Sequence, residues 1–116
     1  MRAEQDIQRG VMQHLRSRAA PGVFAFHVPN GGYRKPIEAA ILKGLGVVAG
    51  TPDIFAIKAG HCFALELKIE GGRLSDNQNL VLARLKECGA TCAVAFGLDE
   101  ALKTLENWAL LRGRSS

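Results

Sequence analysis

Hydrophobic and polar positions along this chain follow two rhythms, one near 3.6 residues and one near 2, and they alternate from end to end. Ile7, Val11 and Leu15 recur at i, i+4 and i+8 with Met12 beside them, which predicts a helix over residues 4–18. Ala20-Pro21-Gly22 breaks it, and Val23 to Val28 is β-branched and aromatic enough for a buried strand. Pro29-Asn30-Gly31-Gly32 is a loop. Pro36 opens a short helix, Ile37 to Leu45, which Gly46 ends. Two apolar runs follow, Ile54 to Ile57 and His61 to Lys68, spaced for a hairpin about Ala59-Gly60. After the Gly71-Gly72 turn, Ser75 and Gln78 form a capping-box pattern ahead of a helix whose stripe is Leu82 and Leu85 with Val81 adjacent, stopped by Gly89. Thr91 to Phe96 is a strand. Asp99 caps a last helix running through Leu111, with Leu102, Leu105 and Ala109 inward.

The predicted order is α-β-α-β-β-α-β-α. The hairpin requires an antiparallel pair, whereas the strand-helix-strand unit from Cys62 to Phe96 requires a parallel one by the right-handed crossover rule. The expectation is an α/β fold with a four-stranded mixed sheet flanked by helices. At 116 residues, with no repeats and no dividing linker, residues 1–116 read as a single domain, and 112–116 as a frayed tail.

Composition narrows the class. The chain is 47% hydrophobic and 22% charged, an ordinary globular balance. No apolar stretch reaches the roughly 18–20 residues needed to span a bilayer, and the N-terminus lacks a signal-peptide core, so an intracellular protein without a membrane partner is expected. The formal charge of +4 suits a polyanionic partner, but a mildly basic soluble domain fits it equally well. Cys62, Cys88 and Cys92 form no C-x-x-C pair, His14, His27 and His61 are scattered, and the thiols are read as reduced.

The candidate chemistry lies in two short segments, Thr51-Pro52-Asp53 and, thirteen residues after Asp53, Glu66-Leu67-Lys68. Side chains on a strand alternate faces, so Glu66 and Lys68 point the same way, with Cys62 and Ala64, opposite Phe63, Leu65 and Leu67. Pairing the two runs brings Asp53 to the same corner. Two carboxylates there can hold a divalent cation, Mg²⁺ or Mn²⁺, with the Leu67 carbonyl as a third oxygen and Lys68 facing a water, the equipment for metal-assisted phosphodiester hydrolysis. A plain ion pair between Glu66 and Lys68, and a turn-forming Asp53, are the competing structural readings. Glu4 lies on the first helix's apolar stripe. Either it is solvated near the positive end of the helix dipole, or it points into the site. Gln78 is either a capping-box residue alone or one that also faces the site. His27 reads as a satisfied core histidine, and Trp108 as core or dimer interface.

The set Glu4, Pro29-Asn30-Gly31-Gly32-Tyr33-Arg34, Gly46-Val47, Gly50-Thr51-Pro52-Asp53, Glu66-Leu67-Lys68, Gly72-Arg73-Leu74-Ser75 and Gln78 resembles the stand-alone VRR-NUC domain (virus-type replication-repair nuclease) of the PD-(D/E)xK superfamily. It runs from Glu4 to Gln78, about two thirds of the chain. The resemblance implies a restriction-endonuclease-like core, with residues 36–46 as an inserted helix. It implies a metal-dependent endonuclease on branched DNA, in replication, repair or recombination, and a homodimer similar to Holliday-junction resolvases, with no nucleotide cofactor. It implies Asp53 and Glu66 as metal ligands, Lys68 as catalytic lysine, and Glu4 and Gln78 as further residues of the site, Glu4 reaching the metal directly or through water. Asn30, Gly31, Gly32, Tyr33, Arg34, Lys35, Arg73 and Ser75 are the candidate DNA contacts, with a plain turn as the alternative for Asn30-Gly31-Gly32. Rival functions are a flap- or nick-directed nuclease, a junction-binding module without turnover, and a protein-binding domain with an incidental acidic corner.

Overall fold

The structure is a computed structural model that describes residues 2–29 and 35–113. Its elements are α1 (Arg2–Arg18), β1 (Val23–His27), α2 (Pro36–Gly44), β2 (Ile54–Lys58), β3 (His61–Lys68), α3 (Asp76–Glu87), β4 (Thr91–Phe96) and α4 (Leu98–Asn107). The sheet order is β1-β2-β3-β4, with β1–β2 and β2–β3 antiparallel and β3–β4 parallel. The fold is α/β with a mixed sheet, in the expected element order.

Period-two alternation sorts the sheet into two unlike faces. Ile54, Ala56, Leu65, Leu67 and Ala95 join Val11 and Leu15 of α1 and Ala101, Leu102 and Leu105 of α4 in one apolar core. The second face carries Phe55, Ala64, Glu66, Lys68 and their cross-strand neighbours, and α3 packs against its β4 side. At the far edge, among the described residues, it is open: Phe24 is 68% exposed and Phe26 37%. The buried strand expected at Val23–Val28 is therefore an edge strand, packed through Val23 and Ala25 on the core side.

Helix ends follow local chemistry. After α2, Gly46 at φ 103° lets Val47 N–H reach the Leu42 carbonyl and Gly46 N–H the Lys43 carbonyl, a Schellman motif. Gly89 at φ 98° does the same for α3. The last helix departs from expectation at both ends. Gly97, not Asp99, is its N-cap, and Asp99 lies exposed in the first turn, where its charge suits the dipole. The helix stops at Asn107 rather than Leu111, because Ala109 takes φ 61° and Leu110 N–H closes onto the Leu105 carbonyl. Ala109, expected inward, is exposed, while Leu110 and Leu111 are buried beyond the helix. There Leu111 bridges Ala19, Arg112 N–H donates to the Arg18 carbonyl, and Arg18 pairs with Glu106 at 2.8 Å. Trp108, the C-cap of α4, packs on Phe63 with ring centroids 5.4 Å apart.

Candidate metal and catalytic centre

The centre forms where the β2–β3 hairpin ends unevenly. The ladder closes at Ile54↔Leu65, so β3 runs on past the start of β2 through Glu66, Leu67 and Lys68. Their main-chain groups on that side need other partners. Asp53 supplies one: its Oδ2 accepts from Leu67 N–H at 2.8 Å. N–H and C=O of one strand residue leave on the same side, so the Leu67 carbonyl faces the Asp53 carboxylate. The Asp53 backbone is held in turn, because its carbonyl accepts from Val28 N–H at 2.9 Å and from His27 Nδ1–H at 2.8 Å. His27 is exposed, not a core histidine, and it buttresses Asp53.

Glu66 is 3% exposed and Lys68 9%. They share a face and approach to 3.8 Å between Lys68 Nζ and Glu66 Oε2. Burial first, then the charge of Asp53 and a hydrogen bond with it, pushes the Glu66 carboxyl up to about 8; Lys68 opposes the rise and Glu4 adds to it. The Glu66–Lys68 pair therefore exists, yet it does not settle the charge of Glu66, because a second carboxylate stands beside it.

Gln78 answers both readings given to it. Ser75 Oγ accepts from Gln78 N–H at 3.1 Å and Gln78 Oε1 accepts from Ser75 N–H at 2.9 Å, a full capping box. With its oxygen committed there, the amide presents Nε2 to Glu66 Oε2 at 3.2 Å. The cap fixes which end of the amide meets the carboxylate. Gly50 supports this arrangement: it sits at φ 86°, and a Cβ there would stand 2.5 Å from Asn77 C and 2.7 Å from Gln78 N. Only the bare glycine backbone lets the loop touch the first turn of α3. A glycine before Thr-Pro was the one sequence signal for it.

Glu4, in the first turn of α1, lies close enough to bear on Glu66 electrostatically. Lys35, Arg73 and Ser75 are exposed, and Ser75 Oγ already accepts within its cap. Asn30, Gly31, Gly32, Tyr33 and Arg34 lie outside the described residues. Cys62, Cys88 and Cys92 are free thiols.

Among the described residues, no group of three His, Cys, Asp or Glu side chains is placed to hold a metal ion. The donors present are Asp53, Glu66 and the Leu67 carbonyl. All are hard oxygens, which suits Mg²⁺ or Mn²⁺, cations that keep several waters and take few protein ligands. Two adjoining carboxylates, one buried, also supply a reason for a cation, since it offsets the burial and the Asp53 charge that otherwise keep a proton on Glu66.

The sequence matches no protein-family model and no curated protein. The fold does find similar solved structures. One, described as a VRR_NUC domain protein, superposes with a TM-score of 0.75 over 91% of this chain and 87% of its own, at 22% identity. The chain has the VRR-NUC fold. A second structure, described as a VRR_NUC domain, gives 0.63 over 91% of this chain and 97% of its own, at 18% identity. The VRR-NUC likeness thus spans nearly the whole chain, beyond the Glu4–Gln78 stretch that carries the sequence motifs.

Proposed function

We propose that residues 1–116 act as a single nuclease domain, a Mg²⁺- or Mn²⁺-dependent endonuclease that hydrolyses phosphodiester bonds in branched DNA. The observation that carries this reading is the corner itself: Asp53 and Glu66 adjoin, and Lys68 lies 3.8 Å from Glu66 on the same face. The VRR-NUC fold supports it. Asp53, Glu66 and the Leu67 carbonyl would hold the cation, which supplies an acidified water and charge stabilisation at the phosphoryl oxygens. Lys68 holds the attacking water or neutralises charge on the phosphate. Gln78 orients Glu66 through its cap-locked amide, and Glu4 adds negative charge on the α1 side. Lys35 and Arg73 contact phosphates and position the duplex without reading its sequence. Action at a four-way junction, as a homodimer making paired cuts on DNA inside the cell, is the fullest form of the proposal.

The test is cleavage of labelled four-way junction, flap, splayed arm, duplex and single strand, with Mg²⁺, Mn²⁺ or EDTA. Expected are cutting only with metal, paired symmetric cuts in the junction, and loss in Asp53→Asn and Lys68→Ala. Preference for the flap replaces junction resolution with branch trimming. Binding without turnover in every metal overturns the enzyme.

A further inference from the structure

Directly opposed residues of an antiparallel pair share a face, and so do alternate residues of one strand. Phe26 opposes Phe55, and Phe55 opposes Ala64, two residues before Glu66. Phe24, Phe26 and Phe55 therefore lie on the face that carries Glu66 and Lys68. Phe55 follows Asp53 by two positions, about 7 Å along the strand. From there the rings run outward to the sheet edge: Phe55 and Phe26 stack at 5.9 Å with 12° between planes, and Phe24 follows at 5.6 Å from Phe26. Large aromatics are costly to leave in water, yet α3 packs on the β4 side of this face, and Phe24 and Phe26 are exposed.

The same edge borders a cleft of about 880 Å³ between α1 and β1, whose lining includes Phe24, Phe26, Arg9 and Arg16. Arg9 and Arg16 stand two turns apart on α1, both exposed. Exposed rings in a row, with guanidinium groups across the cleft on α1, where Arg9 also pairs with Asp6 at 3.6 Å, match the chemistry of unpaired nucleic acid, in which bases offer π-faces and the backbone offers anions. A protein partner would need only the rings, whereas a paired duplex would offer them no base face.

We infer that Phe24 and Phe26 form a stacking shelf for unpaired bases of a single-stranded arm, leading away from the cleavage centre, with Arg9 and Arg16 on its phosphates. The inference rests on the nuclease reading for its substrate and deepens it: besides paired branches, the domain holds an arm of branched DNA whose bases are unpaired.

The test is binding, measured by fluorescence anisotropy in EDTA so that no cleavage occurs. The probes are a splayed-arm DNA, the same DNA with abasic sites throughout one arm, and a plain duplex. Expected is roughly tenfold weaker binding of the splayed arm by Phe24→Ala, retention by Phe24→Tyr, and no change on the duplex. On the abasic arm the wild type should weaken to the level of Phe24→Ala. Equal binding of the splayed arm by Phe24→Ala and wild type overturns the shelf, as does a Phe24→Ala defect that persists undiminished on the abasic arm. Unchanged DNA binding with dissociation of a wild-type dimer by Phe24→Ala, seen by sedimentation, overturns it in favour of an interface between copies. A shelf that binds while no metal supports cleavage leaves the inference standing and the nuclease reading fallen; silent phenylalanine variants with intact cleavage do the reverse.

Discussion

Without a cation, Glu66 keeps its proton to about pH 8, because it is buried beside Asp53. A carboxyl raised in the folded state binds more protons there than in the unfolded chain. Its contribution to stability is thus full below the ordinary carboxyl pKa and is lost as pH rises toward about 8. In EDTA, thermal unfolding should show a midpoint that falls over this window. Glu66→Gln should flatten the slope and raise the midpoint at the alkaline end. Mn²⁺ should reverse the trend in the wild type, since binding to the ionised pair strengthens with pH. Gln8 makes a separate case. Both its amide atoms are buried and without a partner among the described residues. An unsatisfied buried amide costs about 1–3 kcal/mol, so Gln8→Leu should stabilise by about 1 kcal/mol in urea unfolding.

At the scale of elements, two backbone positions can be weighed against neighbours that resemble them. Gly50 and Gly46 both have positive φ, but a Cβ at Gly46 meets nothing within 4 Å. Gly46→Ala should therefore cost about 1 kcal/mol of strain. Gly50→Ala must also push α3 away, and with it the Gln78 amide on Glu66; it should cost about 3 kcal/mol or more and impair cleavage, whereas Gly46→Ala spares it. Ala109 holds a left-handed C′ position that glycine fills elsewhere, so Ala109→Gly should stabilise by about 0.5–1 kcal/mol. These positions also mark what could be read from sequence. The α2 and α3 ends were legible because Gly46 and Gly89 announce them, and the hairpin because Ala59-Gly60 and alternation agree. The end of α4 was not, because tertiary burial of Leu110 and Leu111 forces an alanine into a glycine's conformation. The Glu66–Lys68 face was legible from period two alone. The hold of Gln78 on Glu66 was not, since spacing gives the cap but not where the freed amide nitrogen points. Exposure of β1 was equally hidden, because composition does not say which strand lies at an edge.

Across the whole molecule, the sheet divides the work. One face is closed by α1 and α4 into the apolar core, while the other carries charge near the middle and aromatic rings at the margin. Truncating the core should thus lower stability without rewriting the chemistry. Leu110 is fully buried, so Leu110→Ala should cost about 2–5 kcal/mol while cleavage per folded molecule is preserved, as judged by active-site titration below the melting range. The short segment after α4 has a further meaning in time. It clasps the end of α1 through Leu111, Arg112 and the Arg18–Glu106 pair. Helix α1 is thus secured by residues that follow its end by more than 90 positions. Until residue 112 emerges, α1 lacks its seal, and the hairpin bearing Asp53 and Glu66 must wait as a marginal, half-covered sheet. The core thus closes late in the chain's emergence, once the segment that clasps α1 is available.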